Sequence, residues 1–201
     1  MWEELFEEAH SRYSIMQEKN EIVPFLTYLS YKKPKSMIEI GCAKGGTTFL
    51  WTRILPPEGM KIIIDLPGGP WSLGGMNYLE VGALKTRLEG FSPNTHVRFS
   101  NSQHKDTLDW VKETLGEQKV DFLFIDGDHS YNGVKLDYEN YKDFVAKDGI
   151  IAFHDIKSSP KHAELYCDVW RFWSEVKAKR KFTIEYPDDG HCGIGVIHKE
   201  E

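Results

Sequence analysis

Met37-Ile38-Glu39-Ile40-Gly41-Cys42-Ala43-Lys44-Gly45-Gly46-Thr47-Thr48 is an apolar run that stops in a glycine-rich turn and is followed by a segment of helical character. Further on, Ile62-Ile63-Ile64-Asp65 is a second apolar run ending in an acid. A strand, a tight turn, a helix and a second strand tipped by a carboxylate is how a parallel α/β domain holds an adenosine-containing ligand. Backbone approaches the ligand closely at the turn, and the acid accepts both ribose hydroxyls. Asp65 lies 24 residues after Gly41, the spacing that arrangement needs. The string departs from the dinucleotide fingerprint G-x-G-x-x-G, because Ala43 stands where the second glycine would let a pyrophosphate approach. The bland reading of the same residues is a plain strand-to-helix turn with a solvated aspartate.

Outward from this stretch, strand and helix patterns alternate with no linker and no internal repeat. Strands are expected over 36–41, 60–66, 95–100, 120–126 and 149–155, and helices over 45–55, 77–89, 105–115 and 133–146. Short, continuous, β-rich apolar runs between helices indicate a parallel sheet covered on both faces. Trp2, Leu5, Phe6, Ala9, Tyr13 and Met16 recur at helical spacing, so the first thirty or so residues read as helix until Pro34. Near the other end, Leu165, Val169, Phe172, Trp173 and Val176 form a second helical stripe. Two strand-like runs, 182–186 and 193–198, then flank Pro187-Asp188-Asp189-Gly190, a turn signal that predicts an antiparallel pair. The expected fold is one α/β domain over 1–201. A helical segment (1–34) precedes a Rossmann-like, doubly wound, seven-stranded core (35–201), mostly parallel with a C-terminal antiparallel strand pair. The aperiodic Pro67–Gly75 stretch follows Asp65 directly and reads either as a surface loop or as a lid in which Trp71 faces a substrate.

The 201 residues suffice for one domain with a sizeable core. A net charge of −6 speaks against nucleic acid as the main partner. Three cysteines, Cys42, Cys167 and Cys192, suit a reducing compartment better than a disulfide framework. No apolar stretch reaches the ~18 residues of a membrane span. The first residues are acidic where a signal peptide would be basic. A cytoplasmic protein with no membrane partner is therefore expected.

The strings E-I-G-C-A-K-G-G-T-T, I-I-I-D-L, V-D-F-L-F-I-D-G-D-H-S-Y and D-G-I-I-A-F-H-D-I, in that order, resemble the class I S-adenosylmethionine-dependent methyltransferases. Within that fold they are most similar to the small-molecule O-methyltransferase branch, which includes the catechol-type enzymes and the macrocin and cephalosporin-biosynthesis relatives. The resemblance implies that Gly41, Cys42, Ala43 and Gly46 line the methionine part of the cofactor, that Glu39 belongs to the cofactor site and that Asp65 binds the ribose. It also implies that Asn101 and Ser102 sit near the adenine, and that Asp126 faces the donor's amino group or a metal. Locally, Ser102 reads equally as a helix cap and Asn101 as a turn residue.

The resemblance further implies a divalent ion on Asp126, His154 and Asp155, with His154 standing where an acid is commoner. Mg²⁺ prefers oxygen donors, whereas imidazole favours Mn²⁺, Fe²⁺ or Zn²⁺. The alternative is that His154 acts as a base or hydrogen-bonds in the crevice with no metal. His129 is a candidate general base, its ordinary pKa near 6.5 suiting proton removal from a hydroxyl. Asp128 and Tyr131 would orient it or bind substrate, or Asp128 and Ser130 simply cap the next helix. His104, His162 and His191 read as surface residues, and Cys42 as buried against the turn.

The expected activity is methyl transfer to a small-molecule acceptor, by preference a hydroxyl oxygen, with Trp71, the N-terminal helix and residues 158–166 as pocket walls. Three rival readings stand beside it: a nucleic-acid or protein methyltransferase, an NAD-dependent dehydrogenase, and an inactive cofactor-binding module. The missing middle glycine and the terminal strand pair disfavour the dehydrogenase. There is neither an N-P-P-Y-like motif nor an extended basic patch, since Lys177–Lys181 reads as a solvated helix end. The apolar terminal helices suggest either a homodimer surface or packing on the sheet.

Overall fold

In the computed structural model, residues 1–69, 77–185 and 192–200 are described. The seven strands are β1 (Met37–Ile40), β2 (Lys61–Asp65), β3 (Thr95–Phe99), β4 (Val120–Ile125), β5 (Val145–Phe153), β6 (Lys181–Ile184) and β7 (Ile194–His198). They form one sheet in the order β3-β2-β1-β4-β5-β7-β6. The first five are parallel, while β7 runs antiparallel to both β5 and β6. The seven-stranded doubly wound sheet with its terminal antiparallel pair is thus as the sequence predicts. Residues 186–191 between β6 and β7 and most of the Pro67–Gly75 stretch, including Trp71, lie outside the described residues.

Among the described residues eight α-helices cover the sheet: α1 (Trp2–Tyr13), α2 (Lys19–Lys32), α3 (Gly46–Trp51), α4 (Tyr78–Gly90), α5 (Lys105–Leu115), α6 (Tyr131–Tyr141), α7 (Pro160–Glu164) and α8 (Val169–Glu175). The expected single N-terminal helix is two, because Ser14 turns left-handed and ends α1, and the Glu18/Glu21 capping box starts α2 afresh. Strand alternation sends successive side chains to opposite faces. Ile38, Ile40, Ile62, Ile64, Leu123, Ile125, Ile151 and Phe153 meet α5, α6 and α8 on one face. Met37, Phe122, Phe124, Ile150, Ala152 and Val196 meet α1, α2 and α3 on the other, where Phe25, Phe49 and Trp51 are fully enclosed. Burying each such side chain is worth about 1.5–3 kcal/mol. The apolar stripes of α1 and α8 contribute to both cores: Phe6, Ala9 and Tyr13 to the second, Val169, Phe172 and Trp173 to the first.

The strand order places four strand tips side by side. Gly41 N–H donates to the Ile64 carbonyl, Asp126 N–H to Ile40, and His154 N–H to Ile125, at 2.8, 2.8 and 3.1 Å. Neighbouring strands are about 4.8 Å apart, so Asp65, Gly41, Asp126 and His154 form one row along the carboxyl edge. The chain reverses its winding between β1 and β4, and ligands of open α/β sheets bind at such a switch point.

Candidate active site

The glycine turn is held from beneath. The Asp65 carboxylate accepts from the backbone N–H of Cys42 and of Ala43, at 2.7 and 2.9 Å. Ala43 takes a left-handed φ of +46°, beside Gly41 at +84° and Gly45 at +85°. Such a conformation costs an alanine about 1 kcal/mol, and the Asp65 bond to its N–H offsets part of that. Burial raises the Asp65 pKa, against the pull of the two N–H groups. Cys42 is buried as expected, and burial together with the Asp65 charge keeps its thiol protonated.

Other residues implied for the cofactor have their side chains engaged elsewhere. Glu39 lies on the opposite face of β1, fully buried. Its carboxylate accepts from the Thr48 hydroxyl, and from the Trp51 indole at 2.7 Å. It braces α3 beneath the turn. A Cβ on Gly46 would sit 2.6 Å from Ile15 Cβ, so this glycine admits the α1–α2 link. Ser102 is not the cap of α5, which starts after His104; its hydroxyl donates to Asp137 Oδ1 at 2.6 Å. Asn101 stays part-exposed, its Oδ1 accepting from Gln103 N–H at 2.8 Å. It follows Ser100, whose N–H donates to the Asp65 carbonyl at 2.8 Å.

The tips of β4 and β5 bring the charged residues together. His154 Nδ1 lies 3.2 Å from Asp126 Oδ1 and 3.3 Å from Asp155 Oδ1, and its Nε2 lies 2.7 Å from Glu21 Oε1. His129 faces both carboxylates as well: Nε2 is 3.4 Å from Asp126 Oδ1 and Nδ1 is 3.0 Å from Asp155 Oδ2. Asp155 is held at φ +59°, which turns its carboxylate back toward the two imidazoles. Burial by itself would lower both histidine pKa values. The opposing carboxylates win, and both are raised well above the ordinary imidazole range. Burial of Asp155 is likewise overcome by the His154 charge and the histidine hydrogen bonds, leaving its pKa well below the usual value.

Several members of this cluster carry no signal in the sequence. Gln17 donates to Asp126 Oδ2 at 2.6 Å, and Glu21 reaches His154 from α2. Glu21 reads locally only as a capping-box acid. His162, expected on the surface, is buried at 2% exposure, with Nε2 3.3 Å from Asp155 Oδ1. The short helix α7 folds it inward, its Nδ1 facing the Lys157 carbonyl at 2.7 Å. His104 is exposed, and His191 lies outside the described residues. Ser130 caps α6 by accepting from Gly133 N–H, while the Tyr131 hydroxyl donates to Glu175 at 2.6 Å, outside the cluster. In the basic run Arg180 pairs with Asp148, Lys179 with Glu200, and Lys181 caps α8 through the Trp173 and Val176 carbonyls.

Residues 38–156, more than half of the chain, match the family model for a methyltransferase domain, and the chain belongs to that family. An uncharacterized protein of Sinorhizobium fredii is 33% identical over 105 residues, covering 52% of this chain and 11% of that protein. An uncharacterized protein of Acanthamoeba polyphaga mimivirus is 29% identical over 125 residues, 62% of this chain and 52% of the other. The chain therefore spans about a tenth and about half of the curated relatives it matches. Among solved structures, the O-methyltransferase of Bacillus cereus in complex with SAH superposes with a TM-score of 0.64 at 13% identity, over 98% of this chain and 90% of that one. The O-methyltransferase TomG of Streptomyces achromogenes, in complex with SAM, gives 0.63 at 15% identity over 100% and 90%. The N-methyltransferase NodS of Bradyrhizobium japonicum gives 0.57 at 13% identity over 89% and 94%. The resemblance read from the motifs thus holds for family and fold. Among the described residues no helix is long and apolar enough to cross a membrane.

Proposed function

We propose that this chain uses S-adenosylmethionine to methylate a hydroxyl oxygen of a small molecule. The observation that carries the reading is the contact between the glycine turn and the acid–imidazole cluster. A Cβ on Gly41 would fall 2.0 Å from the Asp126 carbonyl oxygen. Donor turn and acceptor cluster are therefore adjoining backbone, close enough for one displacement to span them. In that step the oxygen–carbon bond forms, the carbon–sulfur bond breaks, and the hydroxyl proton must leave. His129 is the group to take it. Wedged between two carboxylates it holds a proton tightly, and the positive sulfonium of a bound donor would lower that affinity toward the range useful for a base. Asp126 and Asp155 orient the imidazole, and positioning of donor against acceptor supplies most of the remaining rate.

A divalent ion fits the cluster. Asp126, His154 and Asp155 each offer one donor atom, all within 4.8 Å of one another. Glu21 is placed to accept the His154 Nε2 proton, which leaves Nδ1 as the ligand atom, the usual support of a metal-bound histidine. The imidazole favours Mn²⁺ over Mg²⁺. Such an ion would polarise the acceptor oxygen.

The test is calorimetric titration of chelator-treated protein with S-adenosylmethionine, before and after Mn²⁺ or Mg²⁺, with NAD as control. Micromolar binding of the methyl donor and none of NAD supports the reading. Absence of donor binding under every condition overturns it.

A further inference from the structure

The two carboxylate oxygens of Asp155 face different groups. Oδ1 lies 3.3 Å from His154 Nδ1 and 3.3 Å from His162 Nε2, whereas Oδ2 lies 3.0 Å from His129 Nδ1. On the Oδ2 side stands a donor the proposed methyl transfer does not use, the Cys167 thiol. One ligand atom each from His129, Asp155 and Cys167 lie within 4.8 Å of one another. Ligand atoms at zinc distances of about 2.0–2.3 Å sit roughly 3.3–3.8 Å apart in a tetrahedron, so small side-chain rotations close the set. Local backbone holds the three in place. Tyr166 is left-handed at φ +55° and turns Cys167 inward, to 2% exposure. Cys167 N–H donates to the His162 carbonyl and Asp168 N–H to the His129 carbonyl, both at 2.8 Å. The thiol is thereby tied to the backbone of His162 and, through Asp168, of His129.

The geometry points to a second ion site, His129–Asp155–Cys167, that takes a thiophilic divalent cation of the zinc class. Nitrogen, oxygen and sulfur donors together select such an ion over Mg²⁺, and three protein ligands leave a fourth position for water. Binding takes Cys167 as thiolate and His129 as neutral imidazole, so it is accompanied by proton release to solvent. An ion here occupies the lone pair with which His129 would accept the acceptor's proton, making the site inhibitory. That consequence rests on the role proposed for His129, whereas ion binding does not. The rival thiol cluster, Glu21–His154–Cys192, is less suited. Its Glu21 carboxylate already accepts from Glu18 N–H and Gly193 N–H and faces His154 Nε2.

The experiment is titration of the chelator-treated full chain with Co²⁺, followed by absorption. A near-ultraviolet thiolate-to-cobalt band is expected in the wild type and in Cys192→Ser, is absent in Cys167→Ser, and is displaced by Zn²⁺. His129→Asn should weaken Co²⁺ binding by about tenfold or more. No band in the wild type, a band surviving Cys167→Ser, or one lost in Cys192→Ser overturns the assignment. Should Cys167→Ser fail to fold by circular dichroism, unchanged Co²⁺ affinity in His129→Asn overturns it instead. Donor binding, measured separately by calorimetry, reports on the methyltransferase reading alone.

Discussion

Gly41 has no room for a side chain. A Cβ there would overlap the Asp126 carbonyl, and its φ of +84° is one that L residues rarely adopt. Gly41→Ala should therefore destabilise the protein by several kcal/mol and abolish donor binding, measured by chemical unfolding and calorimetry. Two positions on, Ala43→Gly relieves a left-handed alanine and should leave stability unchanged or raise it by up to about 1 kcal/mol. Glu39 makes a pH-dependent contribution. Burial pushes its pKa up to about 7 from 4.5, against hydrogen bonds from Thr47, Thr48 and Trp51. Because the folded pKa lies above the unfolded one, this stabilisation is full below the unfolded value and is lost as pH rises through the folded one. At about 1.4 kcal/mol per unit, the loss is on the order of 3 kcal/mol. Glu39→Gln keeps an acceptor oxygen for the Trp51 indole and carries no ionisable proton, with the Thr48 hydroxyl turning to accept from the amide, so it mimics the protonated acid. The variant's Tm should match wild type at about pH 5 and exceed it at about pH 8. A parallel decline of both proteins would remove Glu39 as the cause.

At the scale of elements, α6 connects the two sides of the crevice. Its Ser130 cap follows the His129 loop, and its Asp137 and Tyr141 hold the loop after β3. Ser102 donates to Asp137 Oδ1 at 2.6 Å, and the Tyr141 hydroxyl donates to the Ser102 carbonyl at 2.7 Å. Burial pushes the Asp137 carboxyl up to about 7 despite the Ser102 bond, so near neutrality it is part-protonated. Asp137→Ala unpins the loop that carries Asn101. Stability should fall by about 1–3 kcal/mol. Donor affinity should fall by about tenfold with KM for the donor rising while kcat holds, since no reacting atom is touched. A fall in kcat at unchanged donor affinity would show that α6 acts on the acceptor side instead.

For the whole molecule, ligand binding and stability are linked through the row of strand tips. At a donor concentration a hundredfold above Kd, the folded state gains about 2.7 kcal/mol. For a domain of this size, that raises Tm by roughly 5–10 °C. Asp65→Ala removes both the support of the Cys42 and Ala43 N–H groups and the acid expected at the ribose, and should cancel that rise. A donor-induced shift of wild-type size in Asp65→Ala would place the ribose elsewhere.

The α/β class, the number and order of strand types and the glycine turn after β1 were legible in the sequence because local patterns dictate them. Continuous apolar runs need cover on both faces, and Gly41 and Gly45 mark positive φ. Boundaries drifted where tertiary contacts overrode pattern, as at Ser14, which splits the N-terminal helix, and at β5, which begins four residues before Gly149. The cluster itself was half legible. Asp126, His129, His154 and Asp155 sit in motifs at strand tips, where chemistry collects. Gln17, Glu21, His162 and Cys167 come from segments whose local sequence says only helix or turn. They meet the motif residues because α1 and α2 fold back over the sheet edge and α7 turns inward, contacts between residues such as Glu21 and His154 that stand 133 positions apart. Local periodicity determined which elements form and where a ligand can sit. Long-range packing alone decided which side chains surround that place, because proximity across such separations is set by how faces are buried and not by spacing along the chain.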